Sequence, residues 1–197
     1  MTEKPETQAV SNFFPMLEKY DMSKVTIEDK GLARYINLDV SHFFTGGAYA
    51  NKVFGKSKIS IVERLINTLM KTEMYTGHKT KAYNVVKEAF DIIDKKTKTN
   101  PVQVYIDALQ NAAPKEETTR LRFGGIMVPK AVDVAPQRRL DIAIRNIGNG
   151  SRSGSYRSSK SIASCLADEI IKASKNDPAS FAIAKKNDVE RVAKSAR

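Results

Sequence analysis

The sequence predicts a mainly α fold: a single helical domain of about six helices over residues 41–197, a protruding β-hairpin at about 118–134, and an N-terminal extension over residues 1–40. Three observations carry this. Apolar residues recur at helical spacing in several separate segments, so each helix turns one stripe inward. Around Gly124-Gly125 the period changes from helical to alternating. A chain of 197 residues, 41% hydrophobic and 28% charged, can bury roughly 70% of its unfolded surface in one core.

The elements follow in order. Pro5, Pro15 and an acidic balance make the first 40 residues read as an extension laid over the domain. Ser60-Ile61-Val62-Glu63 has the form of a capping box, and Val62, Leu65, Ile66, Leu69 and Met70 continue it as a helix over about 60–71. After Thr76-Gly77-His78, a second stripe runs through Ala82, Val86, Ala89, Phe90 and Ile93 and ends in the polar run 94–99. Asn100-Pro101 supplies an N-cap and a first-turn proline for a third helix through Val104, Tyr105, Ala108 and Leu109. Arg120-Leu121-Arg122-Phe123 alternates polar and apolar, and residues 126–134 are rich in strand formers. Pro129 restricts the return strand to an edge or an exposed ribbon.

Pro136 reopens a helix with Leu140, Ala143, Ile144 and Ile147 inward, which Gly148-Asn149-Gly150 is expected to stop. Residues 151–161 read as a polar, basic connector in which Tyr156 is the only bulky ring. A helix through Ile162, Leu166 and Ile170 follows, Asp177-Pro178 caps another carrying Phe181 and Ile183, and residues 185–197 form a short basic helix or tail.

The charge narrows the function. With 33 Lys+Arg against 22 Asp+Glu the formal charge is +11, which points to a polyanionic partner. It is unevenly placed: residues 1–50 carry 5 basic and 7 acidic side chains, residues 51–100 carry 11 and 5. Seven of the 11 arginines fall between 120 and 157, and the planar guanidinium suits phosphate oxygens and base edges. No stretch approaches the ~20 apolar residues of a membrane span, and the N-terminus lacks a secretory layout, so a cytosolic protein without a membrane partner is expected.

Catalytic signals are weak. The lone Cys165, between Ile162 and Leu166, fits a small buried hydrophobe. His42 and His78 stand far apart and outside any metal-ligand spacing. Gly55-Lys56-Ser57 has the ending of a phosphate-binding loop, but Ala50 occupies the position where that pattern needs glycine. The acids form no paired-carboxylate set, so no catalytic residue, metal or cofactor is expected. The hairpin differs in kind. Arg120 and Arg122, two apart, point to one face of an extended strand, Lys130 is expected to join them from the return strand, and such a ribbon fits RNA.

These residues also resemble a known family. Residues 62–70, His78-Lys79-Thr80-Lys81-Ala82, Asn100-Pro101 and Asn111-Ala112-Ala113-Pro114 resemble, in order, the first helices of small-subunit ribosomal protein seven. Arg120 through Gly124-Gly125, Val128-Pro129, Val132-Asp133-Val134 and Pro136-Gln137-Arg138-Arg139 through Arg145 look like its β-ribbon and following helix. Residues 161–169 and the ending 185–197 match its last helices in the archaeal and eukaryotic form. His78-Lys79-Thr80-Lys81 in place of a glycine-lysine-lysine run, and Asn146 in place of a tryptophan, separate the chain from the bacterial pattern.

The resemblance implies a non-enzymatic constituent of the small ribosomal subunit. Such a protein binds the 3′ major domain of small-subunit rRNA, nucleates assembly of the head beside neighbouring head proteins, and lies near exit-site tRNA and mRNA. With the charge, it assigns rRNA contacts to Lys52, Lys56, Lys58, Lys79, Lys81, Arg120, Arg122, Lys130, Arg138, Arg139, Arg145, Arg152 and Arg157. Gly124, Gly125, Ile126, Met127, Lys194 and Arg197 are expected to face tRNA or mRNA. The competing readings are a chromatin-type DNA-binding protein, for which no dimerisation stripe is evident, and an RNA-processing enzyme, for which no convergent catalytic set is.

Overall fold

The computed structural model describes residues 19–20, 25–38, 44–71 and 75–197, so residues 1–18 of the expected extension, with Pro5 and Pro15, and His42 lie outside the described residues. In chain order come α1 (Lys30–Ala33), a 3-10 turn (Gly55–Lys58), α2 (Ile61–Leu69), α3 (Lys79–Thr97) and α4 (Pro101–Ala112). The antiparallel strands β1 (Glu116–Phe123) and β2 (Ile126–Asp133) follow, then α5 (Pro136–Ser155), α6 (Ile162–Ser174) and α7 (Phe181–Ser195). The mainly helical class with one hairpin agrees with the periodicities.

Each helix buries the stripe its spacing announces. Leu65 and Ile66 of α2, Val86, Phe90 and Ile93 of α3, Tyr105 and Leu109 of α4, and Leu140 and Ile147 of α5 are all buried. They close around α6, which offers the larger Leu166 and Ile170 beside the small Ala163, Ala167 and Ala173 and packs against α3, α4 and α5. Each large aliphatic side chain so buried contributes about 1.5–3 kcal/mol. The segment expected to lie over the domain reaches inside it, since Leu32 and Ile36 belong to the same core. Two glutamines of α4 read its backbone: Gln103 accepts from the Thr26 amide at 2.8 Å and donates to the Thr26 carbonyl at 3.1 Å, and Gln110 accepts from the Asp29 amide at 2.8 Å.

Two boundaries and one cap differ from the sequence expectation. The fifth helix does not stop at Gly148-Asn149-Gly150 but runs to Ser155 and absorbs half of the expected connector. Both glycines serve packing: a Cβ on Gly148 would lie 2.9 Å from the Thr68 methyl, and one on Gly150 would lie 2.9 Å from the Glu169 carboxyl and 3.0 Å from Phe181. Ser180, not Asp177-Pro178, caps α7; Asp177 instead accepts from the Ala179 amide at 2.8 Å in the preceding turn. Ser60 precedes α2 as expected, yet its hydroxyl makes no cap bond, and the Glu63 side chain, the other half of the expected box, is turned into a tertiary cluster. Asn100 does cap α4, accepting from the Val102 amide at 3.0 Å.

Candidate nucleic-acid interface

The ribbon is set by its two-residue turn. Gly124 and Gly125 take φ of 55° and 91°, the left-handed values a tight hairpin turn with strand-matching twist requires. Phe123 then faces Ile126, Arg122 faces Met127, Arg120 faces Pro129 and Thr119 faces Lys130. Directly opposed residues share a face, so Arg120 and Arg122 lie with Pro129 and Met127, while Lys130 lies on the other face beside Thr119. The expectation that Lys130 joins the two arginines is therefore corrected: the turn length fixes a register that separates them. The same register puts Pro129 at a non-hydrogen-bonded pair, its nitrogen towards the free edge, where a missing N–H costs nothing.

The base of the ribbon is clamped to the helices. Arg138 of α5 donates Nε and Nη2 to Glu117, both at 2.7 Å, and this pair holds the Glu117 carboxyl below its ordinary range. From the other side Arg197 pairs with Glu116, Glu190 of α7 accepts from the Lys115 amide at 3.0 Å, and the Ala131 amide donates to the Ala196 carbonyl at 3.2 Å. Beyond the clamp, Arg120, Arg122 and Lys130 are exposed, as are the apolar Ile126, Met127 and Val128 near the turn.

A second basic feature lies between α2 and α5. Arg64, Asn67 and Thr68 of α2 and Lys71 just past its end follow one another at helical spacing, and Asp141, Arg145, Gly148 and Arg152 do so on α5, so two faces meet across a cleft of about 520 Å³. Arg64 is only 7% exposed and donates to Asp141 at 2.6 Å. Asp141 also pairs with Lys56, which fastens the 3-10 turn to α5. One carboxylate thus offsets part of a cluster of five cations, and the cleft stays positive.

The cleft continues into a neighbour of about 490 Å³ formed by residues 45–56 and α2, with Lys56, Ile59 and Asn67 shared by both. Lys79 stands at its side, its Nζ 2.5 Å from the fully buried Glu63 and 4.7 Å from the Phe44 ring centroid. Glu63 also accepts from the Thr45 hydroxyl at 3.0 Å and the Thr45 amide at 3.2 Å, so the carboxylate ties the entering loop to α2 and α3.

Comparison with known proteins decides among the ways a clamped ribbon and a positive cleft could be used. Residues 36–197 match the model of the family described as ribosomal protein S7p/S5e. The chain belongs to that family. It is 53% identical over 183 residues to the small ribosomal subunit protein uS7 of Thermoplasma volcanium, covering 92% of this chain and 100% of that protein. The uS7 proteins of Picrophilus torridus and Archaeoglobus fulgidus are 56% and 57% identical over 184 and 180 residues, covering 92% and 91% of this chain and 98% and 93% of theirs.

In this S7p/S5e chain the expected contact residues fall into three groups. Lys52, Lys56, Lys79, Arg145 and Arg152 line the joined clefts, with Lys58 and Lys81 exposed on the same two segments, the 3-10 turn and the start of α3. Arg120, Arg122 and Lys130 edge the ribbon, and Arg157 follows α5 with its guanidinium 5.2 Å from the Tyr156 ring centroid. Arg138 and Arg139 are engaged within the protein: Arg139 is 12% exposed and donates to Asp29 at 3.0 Å and to the Pro114 carbonyl at 3.2 Å. Arg64 and Lys71 were not among the expected residues. Their signal is a polar stripe, Arg64, Asn67, Thr68 and Lys71, running at helical spacing opposite the apolar one. Of the two terminal residues expected to face tRNA or mRNA, Lys194 is exposed on the last turn of α7 and Arg197 sits at the ribbon base on Glu116.

Proposed function

We propose that this chain is a structural, non-enzymatic constituent of the small ribosomal subunit, working in the cytoplasm as part of the ribosome. The family match over residues 36–197, with uS7 relatives aligned along nearly their whole length, carries the reading. Within it, the chain binds the 3′ major domain of small-subunit rRNA, nucleates the subunit head beside neighbouring head proteins, and lies near the exit-tRNA and mRNA path. The positive clefts support a phosphate-dominated contact through Lys52, Lys56, Lys58, Lys79, Lys81, Arg145, Arg152 and Arg157, joined by Arg120, Arg122 and Lys130 on the ribbon. Arg138 and Arg139, held by carboxylates, brace the fold. Gly124, Gly125, Ile126 and Met127 at the outer end of the ribbon, with Lys194 and Arg197 at the C-terminus, face tRNA or mRNA.

Sedimentation tests the reading. A tagged protein should travel with small subunits, and its removal should leave particles lacking a formed head. Recovery only in light fractions would overturn it.

A further inference from the structure

Phe54 is placed against every tendency of its side chain. It is 61% exposed, next to Val53 at 88%, and its backbone lies in the left-handed region at φ 54° and ψ 15°. A bulky residue is strained there and persists only where its surroundings impose it. They do so from both sides. The Gly55 amide donates to the Lys52 carbonyl at 2.9 Å, and the Ser57 amide and hydroxyl donate to the Phe54 carbonyl at 3.0 and 2.7 Å. Gly55 packs so closely that a Cβ would come within 2.4 Å of the Tyr49 carbonyl. The exposed ring thereby stands at the rim of the 490 Å³ cleft that Tyr49, Ile59 and Met70 also line. Lys52, with Nζ 5.9 Å from the Tyr49 ring centroid, and Lys56 line the same cleft, and Lys58 is exposed two residues further along the 3-10 turn.

We propose that this rim is a stacking site for one unpaired nucleobase of single-stranded RNA, with Phe54 supplying the ring face and Lys52, Lys56 and Lys58 the flanking phosphate contacts. The proposal rests on the RNA reading above and adds to it a base-dependent subsite. An exposed ring set among cations is the arrangement by which proteins hold splayed-out bases, since every base has a face to stack and phosphates on either side. An apolar protein segment would also cover Phe54 and Val53, but it has no use for the exposed Lys52, Lys56 and Lys58 along the same segment.

The test uses the full chain and two probes, an adenylate RNA decamer and an abasic ribose-phosphate decamer of equal charge. The wild type should bind the adenylate probe more tightly, and Phe54→Ala and Phe54→Leu should both erase roughly 5- to 150-fold of that preference while leaving abasic binding unchanged. The sequence has no tryptophan, so Phe54→Trp introduces a single indole whose emission should be quenched by the adenylate probe and not by the abasic one. Circular dichroism of all three variants should match the wild type. Equal binding of the two probes by the wild type overturns this inference alone, whereas failure to bind either overturns the RNA reading with it. A Phe54→Leu variant that keeps full base preference also overturns it, since an aliphatic side chain then suffices and the surface fits an apolar protein partner.

Discussion

Lys79 and Lys81 stand two positions apart at the start of α3, and sequence alone gives them the same role. Their surroundings differ. Lys79 is the cation for Glu63, a fully buried carboxylate whose second oxygen has no hydrogen-bond partner among the described residues. Removing one member of a buried pair strands the other charge, at a cost of about 3–5 kcal/mol. Lys79→Ala should therefore lower stability by that order in urea unfolding, while the exposed Lys81→Ala should change it by less than about 0.5 kcal/mol. Arg139 poses the same question 60 residues on, because its partner Asp29 is 110 positions away and no local pattern announces it. Arg139→Ala should cost about 2 kcal/mol, as expected for lost charged hydrogen bonds. Burial pushes the Asp29 carboxyl up, but the Gly31 amide and the Arg139 guanidinium outweigh it and hold the group below its ordinary 3.8. A depressed carboxyl contributes stability above its unfolded value and loses it as pH falls through the folded one. The stability gap between wild type and Asp29→Asn should accordingly be full at neutral pH and close below about pH 4, where denaturant melts at stepped pH will show it.

Among the elements, α5 shows what local pattern can and cannot reveal. Its start at Pro136 and its inward stripe are legible, since both depend on residues within a turn or two. Its end is not, because glycines that usually stop a helix are here the places where other elements come closest. Three glycines of one helix separate the two effects. At Gly150 an added methyl meets the Glu169 carboxyl and Phe181, and Glu169 is itself fixed by accepting from the Ser180 hydroxyl at 2.7 Å and the Ala182 amide at 2.9 Å. Overpacking of this kind costs about 1–3 kcal/mol, more than the roughly 1 kcal/mol alanine gains in helix propensity. At Gly154 the nearest atoms, Cβ and Sγ of the half-buried Cys165, lie at 3.6 Å, an ordinary contact. Gly150→Ala and Gly148→Ala should lower the melting temperature and Gly154→Ala should raise it. The capping-box reading of α2 fails for a related reason: the glutamate that local geometry offers to Ser60 gains more from Thr45 and Lys79.

At the scale of the whole molecule, the ribbon and the core are legible because alternation and helical stripes are local, whereas the positive cleft is not, being assembled by helices whose paired residues Arg64 and Asp141 lie 77 positions apart. The ribbon's division of labour likewise depends on contacts from distant elements. Its acidic base, Glu116 and Glu117, is held by Arg197 and Arg138, so the outer half projects from a fixed root with Arg120, Arg122 and the apolar turn exposed. Arg122 stands beside the turn, opposite Met127, and Arg120 lies only two residues below it. Replacing Gly124-Gly125 with Asn-Gly and both Ile126 and Met127 with threonine keeps the turn length and the register, removes the apolar side chains next to the turn, and leaves both arginines and every clamp at the base. Melting temperature and incorporation into small subunits should then stay near wild type, while retention of exit-site tRNA or reading-frame maintenance should fall. Subunit yield by sedimentation and frameshifting on a reporter message, measured in the same strain, read the two functions separately. If assembly collapses and frame maintenance in the surviving subunits is normal, the turn is an assembly contact, and the clamped root presents the ribbon to rRNA along its whole length.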